Sequence, residues 1–165
     1  KSTVSYFCFI FNRGGAVLED SYEAIRRLMI AINKIDGAYY FCARKLGINE
    51  NMLAILYALA DGRIHSQKEI CKDWLIPKTT INTVVKELTE AGYITLVSGE
   101  RKREKIICLT EEGKTYTYNL VEKIYAAEQE ALGKTLERYS PEFINAMDYF
   151  SSCLEDTFEK YILKE

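Results

Sequence analysis

The sequence has few of the residues on which enzymes and metalloproteins most often rely. It contains a single histidine, His65, and its five cysteines are widely spaced, with no Cys-x-x-Cys pair. It also lacks a glycine-rich phosphate loop and a Gly-x-Ser-x-Gly nucleophile motif. Because one imidazole without neighbouring ligands makes no metal site, His65 is predicted to be structural. The chain is therefore predicted to be no enzyme and to need neither a metal nor another cofactor.

The cysteines argue against a disulfide-forming compartment, and the apolar runs argue against a membrane. An odd number of scattered cysteines does not favour a disulfide framework and fits a reducing cytoplasm. The aromatic run Tyr6–Phe11 is too short to span a bilayer, so no membrane association is expected. Cys71, Cys108 and Cys153 lie on apolar stripes and are predicted to be small core residues. For Cys42 a further interpretation stays open, that of a redox-sensing thiol.

Apolar and charged residues are abundant, whereas prolines number only two. A content of 48% hydrophobic and 28% charged residues in 165 positions predicts a helix-rich globular protein with a genuine core. The net charge is −2, but residues 62–109 contain nine basic and six acidic side chains, so this part is +3 and the remainder −5. Such segregation is expected of a DNA-binding face on an acidic body.

Residues 66–76 predict a short helix followed by a tight turn. Ser66 and Glu69 have the spacing of a capping box, in which each side chain bonds a free backbone amide of the first turn. Apolar residues then recur at helical intervals and are predicted to share one buried face. These are Ile70, Cys71, Trp74 and Leu75.

Residues 77–92 predict a second helix, which begins at Pro77 and ends at Gly92. Its predicted buried side consists of Ile81, Val84, Val85 and Leu88. Its other side carries Lys78, Thr79, Thr80, Asn82, Thr83 and Lys86. Two short helices of which the second presents small hydrogen-bonding side chains are typical of a helix-turn-helix that enters the major groove. Threonines also simply favour helix termini, so this helix alone does not decide the function.

A basic hairpin is predicted directly after these helices. Tyr93–Val97 and Lys105–Leu109 have strand composition and are joined by a charged loop. The basic residues of the loop region are Arg101, Lys102, Arg103 and Lys105. Although a charge run is often only a solvated face, a basic hairpin beside a helix-turn-helix is predicted to be the wing of a winged helix, in reach of phosphates or the minor groove.

Residues 75–113 resemble the MarR family of bacterial transcription regulators. The likeness lies in LIPKTTINTVVKEL at 75–88, GYI at 92–94 and REKIICLTEEG at 103–113. The resemblance implies a homodimer that binds double-stranded DNA, and a pocket between the dimer helices and the winged domain for a small, often aromatic, ligand. In one departure, Arg101 occupies the position two residues before Arg103 where many members have an aspartate, so the usual acidic brace of the wing is missing.

Long apolar stripes flank the winged segment. We predict an N-terminal dimerisation helix at 20–48, weakened at Gly37, a winged helix-turn-helix domain at 49–110 with a short strand at Arg63–His65, and C-terminal dimerisation helices at 111–165. Residues 1–19 are interpreted as an N-terminal extension, either an added leader or a native arm that packs across a dimer. The last helix carries the stripe Phe143, Met147, Phe150, Leu154, Phe158 and Ile162. A small domain cannot cover these stripes, which favours a second copy as partner.

The predicted fold class is thus mainly α, an α+β winged helix with long terminal helices. The predicted function is that of a cytoplasmic, homodimeric, sequence-specific DNA-binding transcription regulator, a repressor acting on a pseudo-palindromic operator and released by a small ligand. Two alternatives remain open: a winged-helix protein-interaction module without DNA binding, and a cysteine-based redox-sensing regulator. The predicted DNA-binding residues are Lys78, Thr79, Thr80, Asn82, Thr83, Lys86, Arg101, Lys102, Arg103 and Lys105.

Overall fold

The computed structural model describes residues 21–99 and 105–164, so the predictions for residues 1–19 and for Arg101, Lys102 and Arg103 lie outside the described residues. Helices dominate and a small antiparallel sheet completes the fold, which confirms the predicted winged-helix class. The elements are α1 (Ser21–Lys45), α2 (Glu50–Leu59), β1 (His65–Ser66), α3 (Gln67–Asp73), α4 (Lys78–Glu90), β2 (Ile94–Ser98), β3 (Lys105–Leu109), α5 (Glu111–Leu136) and α6 (Glu142–Phe158), the last followed by a π-helical segment, Glu159–Leu163. None of the described helices is long and apolar enough to cross a membrane.

The chain divides into two compact units, residues 1–50 and 51–165. The described part of the first unit is essentially α1, a helix of 25 residues. It runs through Gly37 without interruption, and the expected weakening there, which concerns helix stability, stays a prediction. After α1, Gly47 adopts a left-handed conformation (φ 77°), and its amide bonds the Arg44 carbonyl at 3.1 Å.

In the second unit, the sheet has the strand order β1-β3-β2 with antiparallel pairing throughout. Ile94 pairs with Leu109 and Ser98 with Lys105, as a hairpin requires. The first strand is shifted from its predicted position, Arg63–His65, to His65–Ser66. The reason is a turn after α2, in which the Arg63 amide bonds Asp61 Oδ1 at 2.8 Å, so the chain becomes extended only later.

The core of this unit is formed by α2, α3, α4, the sheet and the first half of α5. Its buried side chains include Leu56 of α2, Ile70 of α3, Ile81 of α4, Ile107 of β3 and Ile124 of α5. Burial of these apolar side chains provides the main driving force for folding. Because α4 is anchored by its whole apolar side, its polar side is held at the surface.

The predicted buried face of α3 is wrong at its C-terminal end. Trp74 caps the helix and is 41% exposed, with its ring edge-on to Tyr57 at 5.8 Å. Leu75 is 76% exposed and left-handed, with φ 49°. This single left-handed residue ends the helical periodicity, so the inward position passes to Ile76, which is buried.

We expect Leu75→Gly to stabilise the protein by about 1 kcal/mol, because glycine adopts a positive φ without the steric cost that a Cβ atom imposes. The exposed side chain contributes little burial that could be lost. Urea denaturation measures the difference. Leu75→Ala is the control, since alanine keeps the Cβ atom; an equal gain in both variants would disprove backbone strain as the cause.

The prediction that Cys153 is a core residue is also wrong. Cys153 is exposed, whereas Cys71 and Cys108 are half-buried. In α6 the half-buried side is formed by Phe150 and Leu154, together with residues at helical spacing. Cys153 directly precedes Leu154, and one helical residue turns the side chain by about 100° away from that side.

Candidate nucleic-acid interface

The helix-turn-helix begins with the predicted capping box at the start of α3. The Ser66 amide donates to Glu69 Oε2 at 2.7 Å, and the Glu69 amide donates to Ser66 Oγ at 3.2 Å. Ser66 is buried and also pairs with Ile106 of β3, so the same residue joins the sheet to the helix. The capping box therefore sets the position at which α3 leaves the sheet.

The Glu69 carboxylate accepts a hydrogen bond from the Ser66 amide, which lowers the pKa of Glu69 below its ordinary value. Because the pKa is lower in the folded state, the ionised carboxylate stabilises the fold at pH values above the unfolded pKa. This stabilisation is lost as the pH falls through the folded pKa. We expect the wild type to exceed Glu69→Gln in stability at neutral pH and to lose this advantage in acid, as measured by urea denaturation across the pH range. A difference that is independent of pH would contradict this role of the carboxylate.

Helix α4 is held at both ends by backbone geometry. It begins after Pro77, and its apolar positions Ile81, Val84, Val85 and Leu88 are all buried as predicted. At its end Gly92 is left-handed (φ 78°), with its amide bonded to the Thr89 carbonyl at 3.0 Å. The Tyr93 amide bonds the Leu88 carbonyl at 2.9 Å, which completes a Schellman motif. Gly92 thereby turns the chain directly from α4 into the wing.

The polar side of α4 faces solvent. Lys78, Thr79, Asn82, Thr83 and Lys86 are exposed, whereas Thr80 is half-buried. The Thr83 hydroxyl donates to the Thr79 carbonyl at 3.1 Å within the helix, and Lys86 Nζ lies 3.7 Å from Glu90 Oε1. An exposed ion pair of this kind is weak and easily exchanged. The polar side therefore presents two lysines, an amide and threonine hydroxyls within about two turns.

The wing hairpin rises directly beside the end of α4. Of its predicted basic residues the structure describes only Lys105, which is exposed at the start of β3, opposite Ser98 and next to the connecting loop. The neighbouring Leu96 and Val97 of β2 are also partly exposed. The hairpin thus projects from the core by its β2–β3 pairing, as a wing does.

A tight junction joins the wing to α5. Thr110 caps α5 by accepting the Gly113 amide at 2.9 Å, and its hydroxyl donates to the Gly92 carbonyl at 2.8 Å. The Thr110 amide bonds the Tyr93 carbonyl at 3.0 Å, and the Tyr93 and Tyr116 rings stack at 4.0 Å. The link to Gly92 joins residues 18 positions apart, so sequence reasoning missed it. One residue therefore fixes the end of α4, the base of the wing and the start of α5.

His65 and Arg44, the basic neighbour of Cys42, each make a polar side-chain contact. His65 Nε2 lies 2.9 Å from Asp61 Oδ1, and this contact lowers the pKa of Asp61. His65 thus helps to close the turn between α2 and β1. Cys42 is exposed on α1, but the nearby Arg44 donates to the Tyr40 hydroxyl at 2.9 Å.

Comparison with known sequences identifies relatives that are transcription regulators. Residues 46–104 match the model of the MarR family. The HTH-type transcriptional regulator YwoH of Bacillus subtilis is 30% identical over 86 residues, which are 52% of this chain and 63% of that relative. The chain therefore spans less than two thirds of that relative's length.

Solved structures agree in fold. A MarR family regulator from Neisseria meningitidis has a TM-score of 0.72 at 27% identity, with 83% of this chain and 97% of that chain covered. The structure of overoxidized AbfR bound to DNA has a TM-score of 0.59 at 16% identity, with 84% of this chain and 97% of that chain covered. At that identity the second likeness is one of fold.

Proposed function

Because this chain belongs to the MarR family, we propose that it is a non-enzymatic transcription regulator, a cytoplasmic repressor that binds a pseudo-palindromic DNA operator as a homodimer. The observation that carries the proposal is the polar side of α4, which is exposed beside a wing while its apolar side is locked in the core. AbfR, which shares the fold, has been solved bound to DNA, and this supports DNA binding by the present fold.

The side chains of α4 have distinct roles in this proposal. Asn82 can donate to and accept from one base edge at once, as adenine recognition in the major groove requires. Lys86 neutralises a phosphate, which contributes affinity without sequence information, whereas Lys78 is assigned to the groove. Thr79, Thr80 and Thr83 contact bases or backbone at the start of the helix. Arg101, Lys102, Arg103 and Lys105 are assigned to phosphates or the minor groove at the wing.

The proposed dimer is supported by the terminal helices. No residue of α6 is buried in the single chain, although the helix has 17 residues and an apolar stripe. In α1, Tyr22 and Phe41 are more than 70% exposed. Apolar helices that a chain leaves uncovered mark a partner surface, and a two-fold dimer presents two α4 helices to successive major grooves.

The proposed function is tested by heparin retention and by mobility shift on the DNA upstream of the protein's own gene. We expect retention and a salt-sensitive shift, with Asn82→Ala altering sequence preference more than salt sensitivity. Repression is tested by a reporter under that upstream DNA. Failure of both heparin retention and mobility shift would instead favour the winged-helix protein-interaction module.

We expect Arg103→Ala/Lys105→Ala to weaken DNA binding about tenfold and to lower the slope of log affinity against log salt by up to about 2, since each lost phosphate contact removes about one released counterion. Affinity measured at several salt concentrations provides this slope. The control, Lys34→Ala/Lys123→Ala, removes the same charge from exposed positions on α1 and α5. An unchanged slope in the wing variant would disprove the wing assignment.

A further inference from the structure

A hydrogen bond between α2 and α5 joins distant parts of the second unit. The Tyr57 hydroxyl donates to Glu128 Oε2 at 2.6 Å, and both side chains are half-buried. The bond spans 71 positions of the sequence, whereas most side-chain pairs that the structure describes lie three or four residues apart. Its length is that of a charge-assisted bond to an ionised carboxylate. Two elements are therefore joined by a strong and directional contact.

Glu128 lies at the end of the buried side of α5. The buried residues of this helix recur over Gly113–Ile124, and Glu128 follows one helical turn later on the same side. Beyond it the helix leaves the core, and Leu132 and Leu136 are each 40% exposed. This last part of α5 belongs to the terminal helices assigned to the proposed dimer. The bond from α2 thus holds α5 at the point where the helix passes from the winged domain to the dimer.

The ring of Tyr57 also contacts the turn that leads into α4. It packs edge-on against Trp74, with the ring centroids 5.8 Å apart. Trp74 caps the C-terminus of α3, and its amide bonds the Ile70 carbonyl at 3.0 Å. Buried Ile76 and the start of α4 follow within a few residues. Tyr57 therefore contacts both α5, near its uncovered end, and the segment from which the proposed DNA-reading helix begins.

The direction of α5 decides how far apart the two copies of α4 lie in a two-fold dimer. Its first turn is held by the Thr110 junction, but a direction is defined only by a second point. The apolar burial between the two points is non-directional, whereas the bond to Glu128 is directional. The stretch from Glu111 to Glu128 is about 26 Å long, so a tilt of about 5° moves one end by about 2 Å. This shift exceeds half of the rise of one base pair, about 3.4 Å.

We propose that Tyr57 is a positioning residue for DNA binding: bonded to Glu128 and packed on Trp74, it holds α5 at the angle that matches the two α4 helices to one spacing of operator half-sites. This role of Tyr57 rests on the proposed function. Burial and the Glu128 carboxylate raise the pKa of Tyr57 to about 12, so the phenol stays protonated and donates at neutral pH. Without the bond the dimer samples several spacings, and only the fraction with the correct spacing binds.

Tyr57→Phe removes the hydroxyl, keeps the ring against Trp74 and changes no charge. The matched control is Tyr118→Phe, which removes a hydroxyl bonded to Glu122 Oε1 at 3.2 Å within α5 itself. Emission of Trp74, the single tryptophan, should be unchanged in both variants, because the contact between α2 and α3 persists. In urea denaturation, Tyr57→Phe/Glu128→Ala should be no less stable than Glu128→Ala alone, since both changes remove one bond. Additive losses would overturn the bond as the link between α2 and α5.

The deciding measurement is the preference for half-site spacing. The DNA upstream of the protein's own gene is compared in mobility shift with versions that are lengthened at the centre of the protected site by one or two base pairs. We expect Tyr57→Phe to bind the natural spacing about tenfold more weakly and to lose at least threefold of its preference over the lengthened versions. Tyr118→Phe should match the wild type in both. A purely structural defect would weaken all versions by the same factor, and that result would overturn the positioning role.

The outcomes distinguish the role of Tyr57 from the proposed function. Retention on heparin should be the same for the wild type and for Tyr57→Phe, because the variant keeps every charge. A wild type that is neither retained on heparin nor shifts DNA would refute the proposed function and the role of Tyr57 together. A wild type that binds, with Tyr57→Phe equal to it in affinity and in spacing preference, would refute the role of Tyr57 alone.

Discussion

Gly113→Ala should lower the free energy of unfolding by about 3 kcal/mol, because the new methyl group has no room. A Cβ atom at Gly113 would lie 1.8 Å from the Tyr93 carbonyl oxygen and 2.7 Å from its carbon. These are backbone atoms, so no side-chain rotation relieves the clash. The Tyr93 carbonyl also accepts the Thr110 amide, which means that moving it disrupts the cap of α5 and the base of the wing together.

Gly133→Ala is the matched control in the same helix. Apart from the adjacent backbone of its own helix, no described atom lies within 4 Å of the position that an alanine Cβ would occupy. Alanine is favoured over glycine inside a helix, so this variant should gain about 0.5–1 kcal/mol. Urea denaturation of both variants measures the contrast in sign. Equal behaviour of the two would show that α5 and the wing are not in contact at Gly113.

Ile144→Asp/Phe158→Asp should weaken homodimer formation about 100-fold or more, because burying unpaired carboxylates in an apolar interface costs several kcal/mol. Both side chains are more than 40% exposed in the single chain, so the fold of the protomer should tolerate the change. Operator binding should fall in parallel, since a monomer contacts only one half-site. Light scattering after size exclusion measures the mass, and mobility shift the affinity.

Ser152→Asp is the control for this variant. Ser152 is exposed on the opposite side of α6 from the apolar stripe, so a carboxylate there should leave the dimer intact. Circular dichroism confirms that the variants remain folded. A double variant that stays dimeric while folded would rule out α6 as the dimer surface.

The helix-turn-helix could be read from the sequence because its information is local. The capping box of Ser66 and Glu69, the proline start of α4 and the left-handed Gly92 each act over a few residues and constrain the backbone directly. The apolar period of α4 predicted its buried side without error for the same reason. Where the period was extended past a turn, at Trp74 and Leu75, it failed, since one left-handed residue changes which side chain points inward.

The sequence by itself determined the elements, the amphipathic sides and the charge pattern, because helix periodicity and turn chemistry depend on residues close in the chain. Tertiary structure alone decided that Thr110 ties Gly92 to α5 and that Gly113 touches Tyr93. These features join residues far apart in sequence. Their distances are set by the packing of the whole core, which no local pattern contains.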